Sequence, residues 1–178
     1  MHRMIAVLGL SALAACDGSG PDDKDILARA ERLAQPLPGL YRSTTKLTGF
    51  ELSGADPQLS DQMRDRFGLV SPAESEYCLT PEDAARGFEG VVRQTQQGDC
   101  AIERFDAGGT RLSAQMTCNG GNKLTSRISV EGTGEPDRSH IVLEIVQSGP
   151  AIAGGSATIS MEIDSRRIGD CPRTDGAG

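Results

Sequence analysis

Cys100-Ala101-Ile102-Glu103-Arg104-Phe105-Asp106-Ala107-Gly108-Gly109-Thr110-Arg111-Leu112-Ser113-Ala114-Gln115-Met116-Thr117-Cys118 reads as one β-hairpin. Two apolar-bearing runs, Ala101 to Phe105 and Thr110 to Cys118, flank Asp106-Ala107-Gly108-Gly109, whose aspartate and glycines suit a reversal. Leu112, Ala114 and Met116 recur at every second position, the period of a strand with one buried and one wet face. Cys100 lies nine residues before Gly109 and Cys118 nine after it. A turn centred near Gly108 and Gly109 therefore sets the two cysteines opposite each other, at a separation that a disulfide can span.

Outward from this hairpin the same period continues. Strands are expected over Lys123 to Glu131, His140 to Gln147 and Ser156 to Ile168. Leu124, Ile128 and Val130 share one face, and Ala157, Ile159, Met161 and Ile163 oppose Thr158, Ser160, Glu162 and Asp164. Asn119-Gly120-Gly121-Asn122 supplies a second turn. On the N-terminal side, Gly39 to Leu52 is rich in threonine and apolar residues, and Glu74 to Leu79 forms a shorter run. Short links between consecutive strands make antiparallel neighbours. The expected fold is therefore mainly β: an antiparallel meander forming a curved sheet or a partly closed barrel, with two or three short helices over an open edge or end.

The helices announce themselves by their caps. Asp22 to Ala34 carries Ile26, Leu27, Ala30, Leu33 and Ala34 on one face and acids in its first turn. Such a stripe points to a helix packed on its own domain, with a stalk or a membrane-surface helix as the alternative. Asp56 caps a second helix with Pro57 at its first position, Leu59, Met63 and Phe67 as its apolar stripe and Gly68 as its stop. Thr80, Pro81, Glu82 and Asp83 open a third.

Met1 to Ala15 has a cationic start (His2, Arg3), an apolar run from Ile5 and small residues at its end, the layout of an export signal. That run, Ile5 to Ala15, is eleven residues long, too short to span a bilayer, which takes about 20. Leu13, Ala14, Ala15 and Cys16 resemble the lipobox of bacterial lipoproteins, which implies cleavage before Cys16 and diacylglycerol with palmitate-type acyl chains on its thiol. Two or more chains hold firmly, at about 0.8 kcal/mol per buried methylene. Four stretches follow: a leader (1–15), a lipidated N-terminus with tether and short helix (16–37), a disulfide-stabilised β domain (38–172) and a disordered tail (173–178). Gly18, Ser19, Gly20 and Pro21 form the tether. Asp17 after the anchor resembles an inner-membrane retention signal, and the sequence leaves inner and outer membrane open.

With Cys16 set aside, Cys78, Cys100, Cys118 and Cys171 form an even set in an exported chain, which predicts two disulfides. The hairpin selects Cys100 with Cys118 and leaves Cys78 with Cys171. A four-thiolate metal site is disfavoured because no C-x-x-C pair exists.

Pro38-Gly39-Leu40-Tyr41, Tyr77-Cys78-Leu79-Thr80-Pro81-Glu82, Gly98-Asp99-Cys100, the strand ending at Cys118 and Arg166-Arg167-Ile168-Gly169-Asp170-Cys171 resemble, in order and spacing, a proteobacterial envelope family, domain of unknown function 3617. The likeness covers Pro38 to Cys171. It departs from the common pattern where Tyr41 replaces a tryptophan. Many members look like secreted proteins or lipoproteins, and the resemblance implies no activity.

Composition narrows the function further. The chain carries a net charge of -7, and losing Arg3 with the leader leaves -8; nucleic-acid phosphates demand the opposite sign. Aromatic residues make up 3 %, without tryptophan, so stacking platforms for bases or sugars lack material. The exported part has one histidine, His140, expected as a surface or hydrogen-bonded structural residue, and disulfides withdraw the thiolates from nucleophilic work. Glu162 and Asp164 share a strand face, the arrangement of a solvated side more than of a glycosidase pair. Gly132-Thr133-Gly134 precedes Glu135-Pro136, not a helix that could cradle phosphate. Arg166 and Arg167 offer an anion contact or simply the outer and edge residues of the last strand.

No catalytic set and no cofactor are therefore expected. The expected function is that of a noncatalytic, periplasm-facing envelope protein, with the membrane as one partner through Cys16 and an envelope protein as another. The alternatives are a carrier of a small apolar ligand inside a rolled sheet and an acidic inhibitor of a cationic cell-wall hydrolase.

Overall fold

A computed structural model of the protein describes residues 20–66, 71–87, 99–152 and 154–172. The leader, Cys16, Asp17, the Phe67 and Gly68 end of the second helix and the tail lie outside the described residues. Helix α1 (Asp23–Ala30) leads into strand β1 (Gly39–Leu52), then α2 (Pro57–Arg66), β2 (Ala73–Leu79) and α3 (Pro81–Arg86). A meander follows: β3 (Cys100–Gly108), β4 (Arg111–Asn119), a 3-10 turn at Gly121–Lys123, β5 (Thr125–Glu135), β6 (Arg138–Ser148) and β7 (Ser156–Gly169).

All seven strands form one antiparallel sheet in the order β2-β1-β7-β6-β5-β4-β3. The meander is as expected, and β1 returns to add beside β7. The sheet is open: β2 and β3 are its two edges, so the partly closed barrel is not what forms. Connectivity gives the reason. Every other consecutive pair from β3 onward is joined by a short turn, whereas the link from β2 to β3 runs through α3 instead of a hairpin that would zip the edges together. The last strand is correspondingly internal, so Arg166 and Arg167 are not edge residues.

The hairpin of the opening stretch is tighter than its sequence suggests. Gly108 faces Arg111, so Gly109 and Thr110 alone make the turn, with Gly109 at φ 59°. That register would set Cys100 against Asn119. An extra residue at Glu103 shifts the ladder by one, and Cys100 meets Cys118 after all. The bulge is held by Thr117, whose hydroxyl donates to Glu103 Oε1 at 2.6 Å.

One face of the sheet carries the core. Laterally paired positions such as Ala114, Val130, Leu143 and Met161 run across four strands on that side. Helix α1 lies over its β3–β5 end: Ile26 is 1 % exposed and packs with Ala30 against Phe105, Ala107 and Ala114. The helix thus packs on its own domain and, among the described residues, supplies the most deeply buried large side chain. Asp22 starts it, its Oδ1 accepting from the Asp25 amide at 2.8 Å.

Helix α2 packs on β1 with a different face from the predicted stripe. Leu59 is 40 % exposed, while Ser60 is buried and its Oγ accepts from the Leu52 amide at 3.3 Å. A polar group wins the inward position because it satisfies a backbone donor at the strand's end. Helix α3 is capped as read: the Thr80 hydroxyl accepts from the Asp83 amide at 3.1 Å.

Both predicted disulfides form. Cys100–Cys118 joins edge strand β3 to β4, and Cys78–Cys171, with Cα atoms 5.4 Å apart, reaches from edge strand β2 past β1 to the end of β7.

Candidate functional site

The polar face of the sheet is ordered in lateral rows, because residues paired across antiparallel strands point to the same side. One row crosses five strands: Glu76 of β2 faces Arg42 of β1, Arg42 faces Arg166 of β7, Arg166 faces Arg138 of β6, and Arg138 faces Glu135 of β5. Two residues along, Thr44, Asp164, His140 and Thr133 form the next row. From Arg42 to Glu135 in the first row, and with the whole of the second, they line a cleft of about 700 Å³. A second cleft of about 690 Å³ continues it past Thr133 and His140 towards β4, lined by Arg111, Ser113 and Glu131.

The outer arginines of the first row are each paired. Arg42 donates from Nε and Nη2 to Glu76 Oε1 at 3.1 and 2.9 Å, and Arg138 donates from Nη2 to Glu135 Oε2 at 2.6 Å. The hydrogen bond to the glutamate is the first cause in each case that raises the arginine's pKa above its usual value, with the carboxylate's charge second. Arg166 stands between them and, among the described residues, makes no ion pair. Arg167, its chain neighbour, points to the opposite face. There its Nε donates to the Pro38 carbonyl at 2.9 Å and its guanidinium lies against Gly39, where a Cβ would run into that nitrogen and into the Gly169 carbonyl oxygen. Gly39 sits at φ 150°, so both its backbone and the arginine demand glycine. The two arginines that the sequence groups together thus divide into a structural one and an uncommitted one.

His140 Nδ1 lies 2.8 Å from Asp164 Oδ1, and both side chains are exposed. The bond orients the imidazole at the cleft, and no described hydroxyl hydrogen-bonds the ring as an activated nucleophile would. Asp164 is committed to His140, one row away from Glu162. Gly132-Thr133-Gly134 lies inside β5, its Gly134 amide donating to the Thr110 carbonyl at 2.8 Å, so it is sheet and not a phosphate loop. The described residues contain no group of three potential metal ligands.

Sequence reasoning singled out Arg166 and missed Arg42 and Arg138. Arg138 left a signal: with the β6–β7 turn centred at Ile152, Arg138 and Arg166 are both 14 residues from it. Arg42 left none, because its place depends on pairing with a strand more than 120 residues away.

The apolar side offers smaller spaces. Two hollows beside α1 enclose about 170 and 80 Å³, below the roughly 300 Å³ at which small-molecule pockets begin.

No curated protein and no solved structure matches the chain. A family model described as "Protein of unknown function (DUF3617)" matches residues 36–171, from the approach to β1 through the second cysteine of the long disulfide, and the chain belongs to that family.

Proposed function

We propose that this protein is a lipid-anchored component of the bacterial envelope that works by binding, not by catalysis, and that the polar face of its open sheet is the binding surface. The observation that carries the reading is the use of its cysteines. Four of the five are consumed in two bridges, which persist in oxidising compartments. Cys16 alone remains over, and it stands where the lipobox-like Leu13-Ala14-Ala15 would place the lipidated residue. The binding half is supported by the two continuous clefts on the wet face and by an arginine that the fold does not use.

An apolar-ligand carrier has less support, since the sheet does not close and the apolar hollows are small. The hydrolase-inhibitor alternative rests on net charge alone, and the face with the clefts mixes arginines with carboxylates and is not a uniformly acidic surface.

Mass spectrometry of the full-length chain produced in a bacterial host tests the anchor. The expected product starts at Cys16, carries diacylglycerol and fractionates with membranes, and Cys16→Ser abolishes both lipid and membrane retention. A cytosolic product that retains Met1 to Ala15 and reacts with thiol reagents at Cys78 or Cys100 overturns it.

A further inference from the structure

Three arginines stand abreast on three adjacent strands, although like charges directly opposite one another destabilise a strand pair. Arg42 and Arg138 each dissipate their charge onto a glutamate at the outer end of the row. Arg166 cannot, because both of its lateral neighbours are arginines. Among the described residues nothing takes up any of its five N–H donors. Arg42 binds Glu76 through Nε and Nη2 and keeps Nη1, and Arg138 binds Glu135 through Nη2 and keeps Nε and Nη1. Strands lie about 4.8 Å apart, so the three guanidinium stems are spread over about 10 Å. With Glu76 and Glu135 counted, the row keeps one unbalanced positive charge, at Arg166, which on a chain of net charge -7 is a local feature with a fixed place and not a consequence of overall composition.

The geometry points to a binding site for a phosphate monoester, seated on Arg166 and shared with the unused donors of Arg42 and Arg138; this rests on the reading of the polar face as the binding surface. A phosphate monoester brings roughly two negative charges and three acceptor oxygens, enough to engage more than one guanidinium at once. A lone carboxylate is satisfied by one arginine, as Glu76 is by Arg42 and Glu135 by Arg138 here. The cleft of about 700 Å³ is far larger than one phosphate. Its next row, with Thr44, Thr133 and the hydrogen-bonded His140–Asp164 pair, offers donors and acceptors for a hydroxyl-bearing body. The ligand class is therefore a phosphorylated polyol, whose phosphate is carried by a soluble sugar phosphate or by a lipid headgroup.

Titration calorimetry on the purified full-length protein in neutral detergent separates the cases, with glucose 6-phosphate, soluble dihexanoyl phosphatidic acid and unphosphorylated glucose as probes. Saturable binding of a phosphate probe and none of glucose is expected. Arg166→Gln should weaken that binding about tenfold or more, the scale of one charge-assisted hydrogen bond. Arg166→Lys, which keeps the charge but loses the planar fork, should weaken it several-fold and serves if the glutamine variant does not fold. Lys46→Gln removes a cation elsewhere on the same face and should leave binding within about twofold, since exposed charges beyond about 8–10 Å are largely screened at physiological salt. Tighter binding of the sugar phosphate assigns a soluble source, and tighter binding of the short-chain lipid assigns a headgroup. No saturable binding of either phosphate probe, or equal binding by Arg166→Gln and wild type, overturns the site. Because binding is read on isolated protein, a lipidated chain that ignores phosphate sinks this inference alone, and a cytosolic, unlipidated chain that binds it sinks the anchor alone.

Discussion

Replacing Ile26 by alanine tests whether α1 belongs to the domain, since this one side chain carries most of the helix's docking. At 1 % exposure it is wholly withdrawn from water between α1 and the β3–β4 end of the sheet. Truncation removes three carbon groups, worth about 2.4 kcal/mol of transfer at roughly 0.8 kcal/mol each. The void adds to that. Ala30, Ala107 and Ala114 border the site and have no side-chain length to swing into it, so only Phe105 and the partly buried aliphatics packed around the cluster, Leu27, Leu33, Ile102, Leu112 and Val130, can relax toward it. The loss should therefore fall near the middle of the usual 2–5 kcal/mol range, at about 3–4 kcal/mol. Urea unfolding with disulfides intact would read this as a lower midpoint at unchanged m-value, and a thermal scan as a fall on the order of 10 °C. Leu37→Ala, at a position 50 % exposed, is the control and should stay within about 0.5 kcal/mol. A loss below about 1 kcal/mol for Ile26→Ala would show that the helix is not docked and that the core argument fails.

The two disulfides should differ in weight. Their loops span 93 and 18 residues, so chain entropy assigns about 4.5 kcal/mol to Cys78–Cys171 and about 3 to Cys100–Cys118. Serine pairs at each site, compared by denaturant unfolding, should reproduce that order, and a larger loss from the short loop would contradict it. Tyr41→Phe should cost about 1–1.5 kcal/mol at neutral pH. Its hydroxyl, 2.7 Å from the Leu37 carbonyl and 3.0 Å from that of Pro136, ties the approach to β1 to the β5–β6 turn. Burial first, then the charge of neighbouring Tyr77, raises this phenol's pKa in the folded state. A raised acid pKa favours the folded state while the phenol is protonated. The stability gap between wild type and variant should thus be complete below pH about 10 and shrink above it; a gap that widens there would refute the assignment.

How far the fold was legible depended on whether the deciding contact was local. Gly39 and Leu52 bound β1 as read because Pro38-Gly39 and Ser53-Gly54 punctuate the chain there. The Thr80 cap was legible for the same reason. Helix α1 was legible as a helix packed on its own domain, although the stripe of Ile26, Ala30 and Leu33 could not name the strands it would meet, because an apolar stripe is the same against any apolar partner. Ser60 displaced Leu59 from the buried face of α2 through a bond to Leu52 that no periodicity encodes. The cysteine pairing came out right although the turn was misplaced by half a residue, since the bulge at Glu103 cancelled the error. The arginine row needed three registers at once. Hairpin counting reaches only the β6–β7 one.

The disulfides and the arginine row are parts of one arrangement. An open sheet has two edges, and edge strands are held from one side only, so they are where local opening begins. Each edge here is tied covalently: β2 through Cys78 and β3 through Cys100. These bonds do the work that closing a barrel would otherwise do. On the β2 side the consequence extends to the cleft. Cys78 is two residues from Glu76 and on the same face, and Glu76 is the carboxylate that holds Arg42. If β2 frayed, Arg42 would lose its outer partner and the order of carboxylate, three arginines and carboxylate would lose one end. An exposed pair such as Arg42–Glu76 contributes too little by itself to hold an edge strand in place. The bridge from Cys78 to Cys171 fixes β2, and through it sets the geometry in which Arg166 is left without a carboxylate of its own.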